Sequence, residues 1–262
     1  MTNITLIIIG LTISFFATAF GALIIYFFKQ NISPSLSSII SGFSAGIMIS
    51  ASVWGLLIPS FEYGSYLNNL YFLPSVFGTF LGCLFLVFID TIVKKTQNKN
   101  KNIQLQNKNS NNLKTFIIAF TIHNIPEGMA IGFAFGNAFI VSSSGMYASS
   151  LMLAIAISIQ NIPEGLAVAL PVYKETKSKT KSFLLGSLSG IVEPIFAIFG
   201  FFLAGIAKII IPWLLAFSAG TMLFVSASDL IPNSKIEGTK DIGSWAFIFG
   251  FLIMMLLDVL LA

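Results

Sequence analysis

Three carboxylates, Glu127, Glu164 and Glu193, stand inside stretches that are otherwise apolar. Two of them have a polar partner four residues earlier, His123 before Glu127 and Gln160 before Glu164. On an α-helix that spacing puts both side chains on one face a turn apart, so each pair offers two donor groups toward one depth. Pro126 and Pro163 fall between the members of each pair, where proline deletes an N–H and frees a carbonyl one turn earlier. Asn124 and Asn161 add amide oxygens at neighbouring positions, and Gly128 and Gly165 permit close approach of another helix. Glu193-Pro194 repeats the carboxylate and proline together. Imidazole nitrogen with carboxylate and amide oxygen suits zinc and other borderline divalent ions, whereas calcium and magnesium sites rarely recruit histidine.

The elements that hold these residues must be membrane helices. The 262 residues are 56% hydrophobic and 9% charged, with a mean hydropathy of +0.90. One water-soluble core cannot hide that much apolar surface. Apolar runs recur at the length a helix needs to cross a hydrocarbon layer of about 30 Å. In such a layer a mid-span carboxylate costs roughly 2.5–3.5 kcal/mol, which marks the three glutamates as functional. For a lone histidine an interhelical hydrogen bond is the ordinary role, but the register of His123 with Glu127 makes it a ligand candidate.

The pattern predicts an all-α, eight-helix transmembrane bundle, with helices at about 4–28, 36–59, 71–93, 114–136, 146–171, 183–206, 209–231 and 243–261. The first run has no lysine or arginine before it and is kept as a span rather than a secretory leader. Cys83 excludes an intrachain disulfide and a cysteine-based zinc cluster, because it is the only cysteine. Residues 94–113 are rich in Lys, Asn and Gln and read as a flexible linker. All fourteen basic residues are lysine, and only Lys208 falls in an even-numbered loop. That asymmetry places the lysine-rich loops in the cytoplasm and both termini outside, and it speaks against nucleic acid as a partner.

Two internal repeats organise the chain. TIHNIPEGMAIG (121–132) and SIQNIPEGLAVA (158–169) lie in adjacent, oppositely running helices. Phe43-Ser44-Ala45-Gly46-Ile47-Met48 in the second helix matches Phe217-Ser218-Ala219-Gly220-Thr221-Met222 in the seventh, and each closes on Leu-Ile-Pro. One inverted-topology operation relates both pairs in a 3+2+3 arrangement, with helices 1–3 mapping onto 6–8 and helices 4 and 5 exchanging. Secondary transporters carry this signature, with the site at the repeat interface near the midplane.

HNIPEG and QNIPEG resemble the paired signature of the ZIP (Zrt/Irt-like) metal transporters, in the bacterial GufA-like branch where Gln often opens the second motif. The resemblance extends to Ser189-Gly190-Ile191-Val192-Glu193-Pro194 and to Gly46-Ile47-Met48. It implies a main metal site of Met48, His123, Glu127, Gln160 and Glu164, and an adjoining one of Asn124, Asn161 and Glu193 bridged by the two motif glutamates. It also implies alternating access, with helices 1, 4, 5 and 6 moving against the rest.

Two departures stand out. Ser228 and Asp229 occupy a place where many relatives have His-Glu, and Asn161 sits where some have Asp. The three glutamates supply three negative charges against four on two divalent ions, so one well-held ion and a second, weaker one are expected. Replacing Asn161 with Asp should tighten the second. The 94–113 loop lacks the histidines of many relatives.

The expected activity is transport of divalent transition-metal ions, zinc foremost and Cd, Fe, Mn or Co admissible, with no cofactor. An intramembrane metal-dependent hydrolase is the rival, but it calls for a histidine-rich catalytic zinc site, and this chain has one His and no HExxH. A proton or sodium pathway would leave His, Gln and Met unexplained. Oligomeric state, a homodimer included, stays open.

Overall fold

The computed structural model describes residues 2–28, 33–99, 108–205, 209–236, 238 and 241–261. Among the described residues there is no strand, and eight helical rods follow in order. They are α1 (Asn3–Phe27), α2 (Pro34–Leu70), α3 (Leu73–Lys99), α4 (Lys108–Val141), α5 (Ser144–Thr176), α6 (Lys179–Leu203), α7 (Ile211–Ser234) and α8 (Ile242–Leu261). Six of them are long and apolar enough to cross a membrane, and α3 adds a shorter apolar stretch, Leu73–Ile89. Large apolar side chains such as Phe16, Phe80, Phe202 and Trp245 face outward, while Glu127, Glu164, Glu193, Asn124 and Asn161 are buried. That distribution suits lipid as the solvent.

Most element starts follow local chemistry. Ser33 caps α2 ahead of Pro34, and Ser178 caps α6. The ends differ from the sequence expectation at two prolines. The expected helices end at 59 and 231, whereas Pro59 and Pro232 lie inside helices that continue past them. Each follows a π-helical turn, Ser52–Leu57 in α2 and Ser226–Leu230 in α7. There the Ile58 and Ile231 N–H groups, each one residue before the proline, reach back five residues to the Val53 and Ser226 carbonyls. Likewise α3 runs on to Lys99 and α4 begins at Lys108, inside the stretch read as linker; residues 100–107 lie outside the described residues.

Packing follows the inverted repeat. The most extensive contacts pair α1 with α5, α4 with α6, α2 with α8 and α3 with α7. Exchanging helices 1–3 with 6–8, and 4 with 5, turns the first pair into the second and the third into the fourth. The correspondence reaches single residues. A Cβ at Gly46 would meet the Phe247 carbonyl of α8 at 2.1 Å, and one at Gly220 the Thr79 carbonyl of α3 at 2.1 Å. Gly250 faces the Phe43 carbonyl as Gly82 faces that of Phe217. In the central pair, Gly165 faces the Thr18 carbonyl of α1 and Gly128 the Glu193 carbonyl of α6. Thr18 and Glu193 are therefore repeat mates, and so are Ser14 and Ser189, each four residues earlier.

Candidate metal site

The site is built on α4 and α5, which run through Pro126 and Pro163 without breaking. α6 supplies the third carboxylate by a local tightening. Pro194 has no N–H to give the Gly190 carbonyl, so the Glu193 N–H takes that carbonyl at 3.1 Å in a three-residue step. The Ser189 carbonyl thereby loses its helical donor. It accepts instead from Asn124 Nδ2 of α4 at 3.1 Å. The repeat mate of this contact is present too, with Asn161 Nδ2 of α5 donating to the Ser14 carbonyl of α1 at 3.4 Å.

These bonds fix which way each amide faces. With both nitrogens turned to neighbouring helices, the Asn124 and Asn161 Oδ1 atoms are buried without a hydrogen-bond partner among the described residues. The same is true of both Glu127 carboxylate oxygens. Gln160 stands beside Glu127 but does not reach ordinary hydrogen-bond geometry with it. Glu127 lies within coulombic reach of Glu164 and Glu193, and Glu193 within reach of Glu164. Buried acceptors are paired as a rule, because each one left without a donor costs about 1–3 kcal/mol. Buried acceptors left without a donor among the described residues suit a cation as their partner.

The predicted residues are not all equally assembled. Glu127, Glu164, Glu193, Asn124, Asn161 and Gln160 are all buried at the α4, α5 and α6 contact. Met48 is buried in an apolar cluster that also holds its repeat mate Met222, together with Phe120, Ala167 and Met254. The side chain of His123 lies outside the described residues. Among the described residues no three His, Cys, Asp or Glu side chains form a compact metal cluster, and buried amide oxygens stand beside the carboxylates.

Sequence reasoning missed two contributors. Thr18 of α1 donates to Glu193 Oε1 at 3.2 Å, a role that nothing in an apolar helix with scattered Ser and Thr announces. Asp258 of α8 is buried with Oδ2 unpartnered among the described residues, and it lines a small cavity that Gln160 also lines, with Ala51, Gly55, Leu153 and Met254. An acidic residue inside the apolar last helix was the available signal. Ser228, by contrast, is spent on its neighbour, donating to Asp229 Oδ2 at 2.7 Å.

Helices long enough to span a bilayer, arranged as inverted repeats around buried acceptors, define a multi-pass membrane transporter. A family model for ZIP zinc transporters matches residues 114–258. The chain is 32% identical to zinc transporter ZIP11 of Homo sapiens over 92% of its own length and 93% of that protein. It is 32% identical to zinc transporter ZupT of Chlorobaculum parvum over 91% of each chain. With zinc transporter GufA of Myxococcus xanthus the identity is 35% over 57% of this chain and 56% of the other. The chain belongs to the ZIP zinc transporter family. It is a divalent-metal transporter and not an enzyme, and the hydrolase alternative falls away.

Proposed function

We propose that the chain carries zinc across the membrane toward the cytoplasm, by alternating access around one midplane site. In that site Glu127, Glu164, His123, Gln160 and Met48 receive the ion, with Asn124, Asn161 and Glu193 adjoining. The observation that carries this reading is the group of buried acceptors with no hydrogen-bond donor among the described residues, Glu127, Asn124 Oδ1 and Asn161 Oδ1, beside two more carboxylates. Sodium or protons could be drawn to carboxylates alone. A paired set of carboxylate and amide oxygens on helices that also bear an i,i+4 histidine favours a divalent transition metal.

Direction follows from the lysines, which collect at the α5–α6 turn and in the other odd-numbered loops. The small Asp258 cavity, which Gln160 also lines, lies toward the opposite end, where α8 finishes and α5 begins. Asp258 then stands on the extracytoplasmic approach and concentrates cations ahead of the site. The test is uptake into proteoliposomes with a panel of divalent ions, for wild type, His123→Ala and Glu164→Ala. The reading expects zinc uptake in wild type and its loss in both variants. Retained uptake in both would remove this site.

A further inference from the structure

Thr18 and Glu193 occupy equivalent places in the two halves, yet one is a hydroxyl and the other a carboxylate, and they touch. Two residues exchanged by a twofold operation can meet only on its axis. The symmetry is broken there, and the breaking falls on Asn161. Its mate Asn124 donates to one carbonyl, that of Ser189. Asn161 Nδ2 has two acceptors, Glu193 Oε2 at 2.7 Å and the Ser14 carbonyl at 3.4 Å. The shorter bond is assisted by the carboxylate charge. Rotating the amide by half a turn would set Oδ1 against both acceptors and lose both bonds.

Glu193 is engaged on its other side as well. The Thr18 hydroxyl has Glu193 Oε1 and the Ser14 carbonyl each at 3.2 Å, and its single proton serves one at a time. Ser14 Oγ stands beside Glu193 without an ordinary hydrogen bond. Each Glu193 oxygen therefore faces a protein donor before any ion arrives. Each oxygen keeps a second lone pair, but a cation bridging Glu193 to the motif glutamates would sit beside an amide N–H whose positive end already points at Oε2, which weakens its hold there.

We propose that Glu193, braced by Thr18, is an anchor that orients Asn161 rather than a ligand for a second ion, so that the transporter holds one divalent ion at a time. Thr18 is a positioning residue, acting through Glu193 on Asn161. The Asn161 amide nitrogen fills the role a second cation would have, and its Oδ1 is left facing away as an acceptor. This revises the second, weaker ion expected from charge counting. It rests on Glu127 and Glu164 being the carboxylates that receive the ion.

The experiment is zinc stoichiometry on the purified full chain, by elemental analysis at saturation and by chelator competition, with uptake kinetics in proteoliposomes alongside. Wild type should hold one zinc per chain, and Asn161→Asp should acquire a second. Thr18→Val should keep one zinc and raise KM for uptake about tenfold with little change in the maximal rate, as outer-partner loss does; Thr18→Ser should restore KM. Two zinc ions in wild type, falling to one in Glu193→Gln, would overturn the anchor while leaving the main site intact. Wild-type KM in Thr18→Val would overturn the brace. If Thr18→Val does not fold, the wild-type and Asn161→Asp stoichiometries decide. Unchanged zinc binding in a Glu127→Gln, Glu164→Gln variant would instead remove the underlying carboxylate site, and the anchor with it.

Discussion

Replacing Gly128 with alanine probes how closely α4 must approach α6 for the site to form. A Cβ there would lie 2.3 Å from the Glu193 carbonyl oxygen and 2.8 Å from its Cα. Ordinary non-bonded contact is about 3.5 Å, so the helices must part by about 1 Å. If α6 takes up that movement, the 2.7 Å bond from Asn161 to Glu193 stretches to about 3.7 Å, past hydrogen-bond range. Overpacking of this kind destabilises by about 1–3 kcal/mol. Loss of an orienting contact around a metal site lowers affinity by about 10–100-fold.

Gly136→Ala is the matched control. Its Cβ would meet the Phe201 carbonyl and Ala204 Cβ at 2.5 Å, on the same α4–α6 interface two turns from the motif. Thermal unfolding of the purified variants and zinc uptake at graded concentrations separate the two effects. Both variants should melt earlier by similar amounts, and only Gly128→Ala should lose zinc affinity. Equal KM values in the two variants, or a larger loss in Gly136→Ala, would refute the link between this contact and the site.

Three more outcomes follow from the same geometry. Glu127→Gln or Glu164→Gln should raise KM for zinc by more than about a hundredfold, since outer partners alone account for 10–100-fold, as read in proteoliposome uptake. Asp258→Asn should lower uptake at low zinc and low ionic strength but spare the maximal rate, because a carboxylate on the approach acts on encounter; an unchanged rate at low zinc would take Asp258 off the path. Uptake should fall as pH drops, since protons compete with the ion for the lone pairs of imidazole and carboxylate ligands. A profile flat between about pH 5 and 8 would count against these ligands.

The parts of this molecule that a sequence reading reaches are those with a strong periodic or energetic signal. Apolar run length marked the helices, and three carboxylates in otherwise apolar spans had no reason to exist without a function. The two NIPEG segments and the FSAG pair carried the inverted repeat, which the packing of α1 with α5 and α4 with α6 then repeated in three dimensions. What stayed hidden depends on hydrogen-bond geometry. Pro59 and Pro232 look like stops until the preceding π turns are known. The orientation of Asn124 follows from the Ser189 carbonyl, freed because Pro194 shifts the Glu193 N–H to Gly190. Thr18 and Ser14 are indistinguishable in sequence from the other hydroxyls of apolar helices, and only their meeting with Glu193 and Asn161 separates them.

The central claim is that the carboxylates of the two proline-bearing helices replace the ion's water. Zinc K-edge absorption fine structure on the loaded protein, wild type against the Glu127→Gln, Glu164→Gln variant, addresses it directly. Wild type should show a shell of oxygen and nitrogen at about 2.0–2.1 Å with the scattering of one imidazole, and the variant should lose that shell. An identical spectrum from both proteins, or a shell dominated by sulfur, would contradict it.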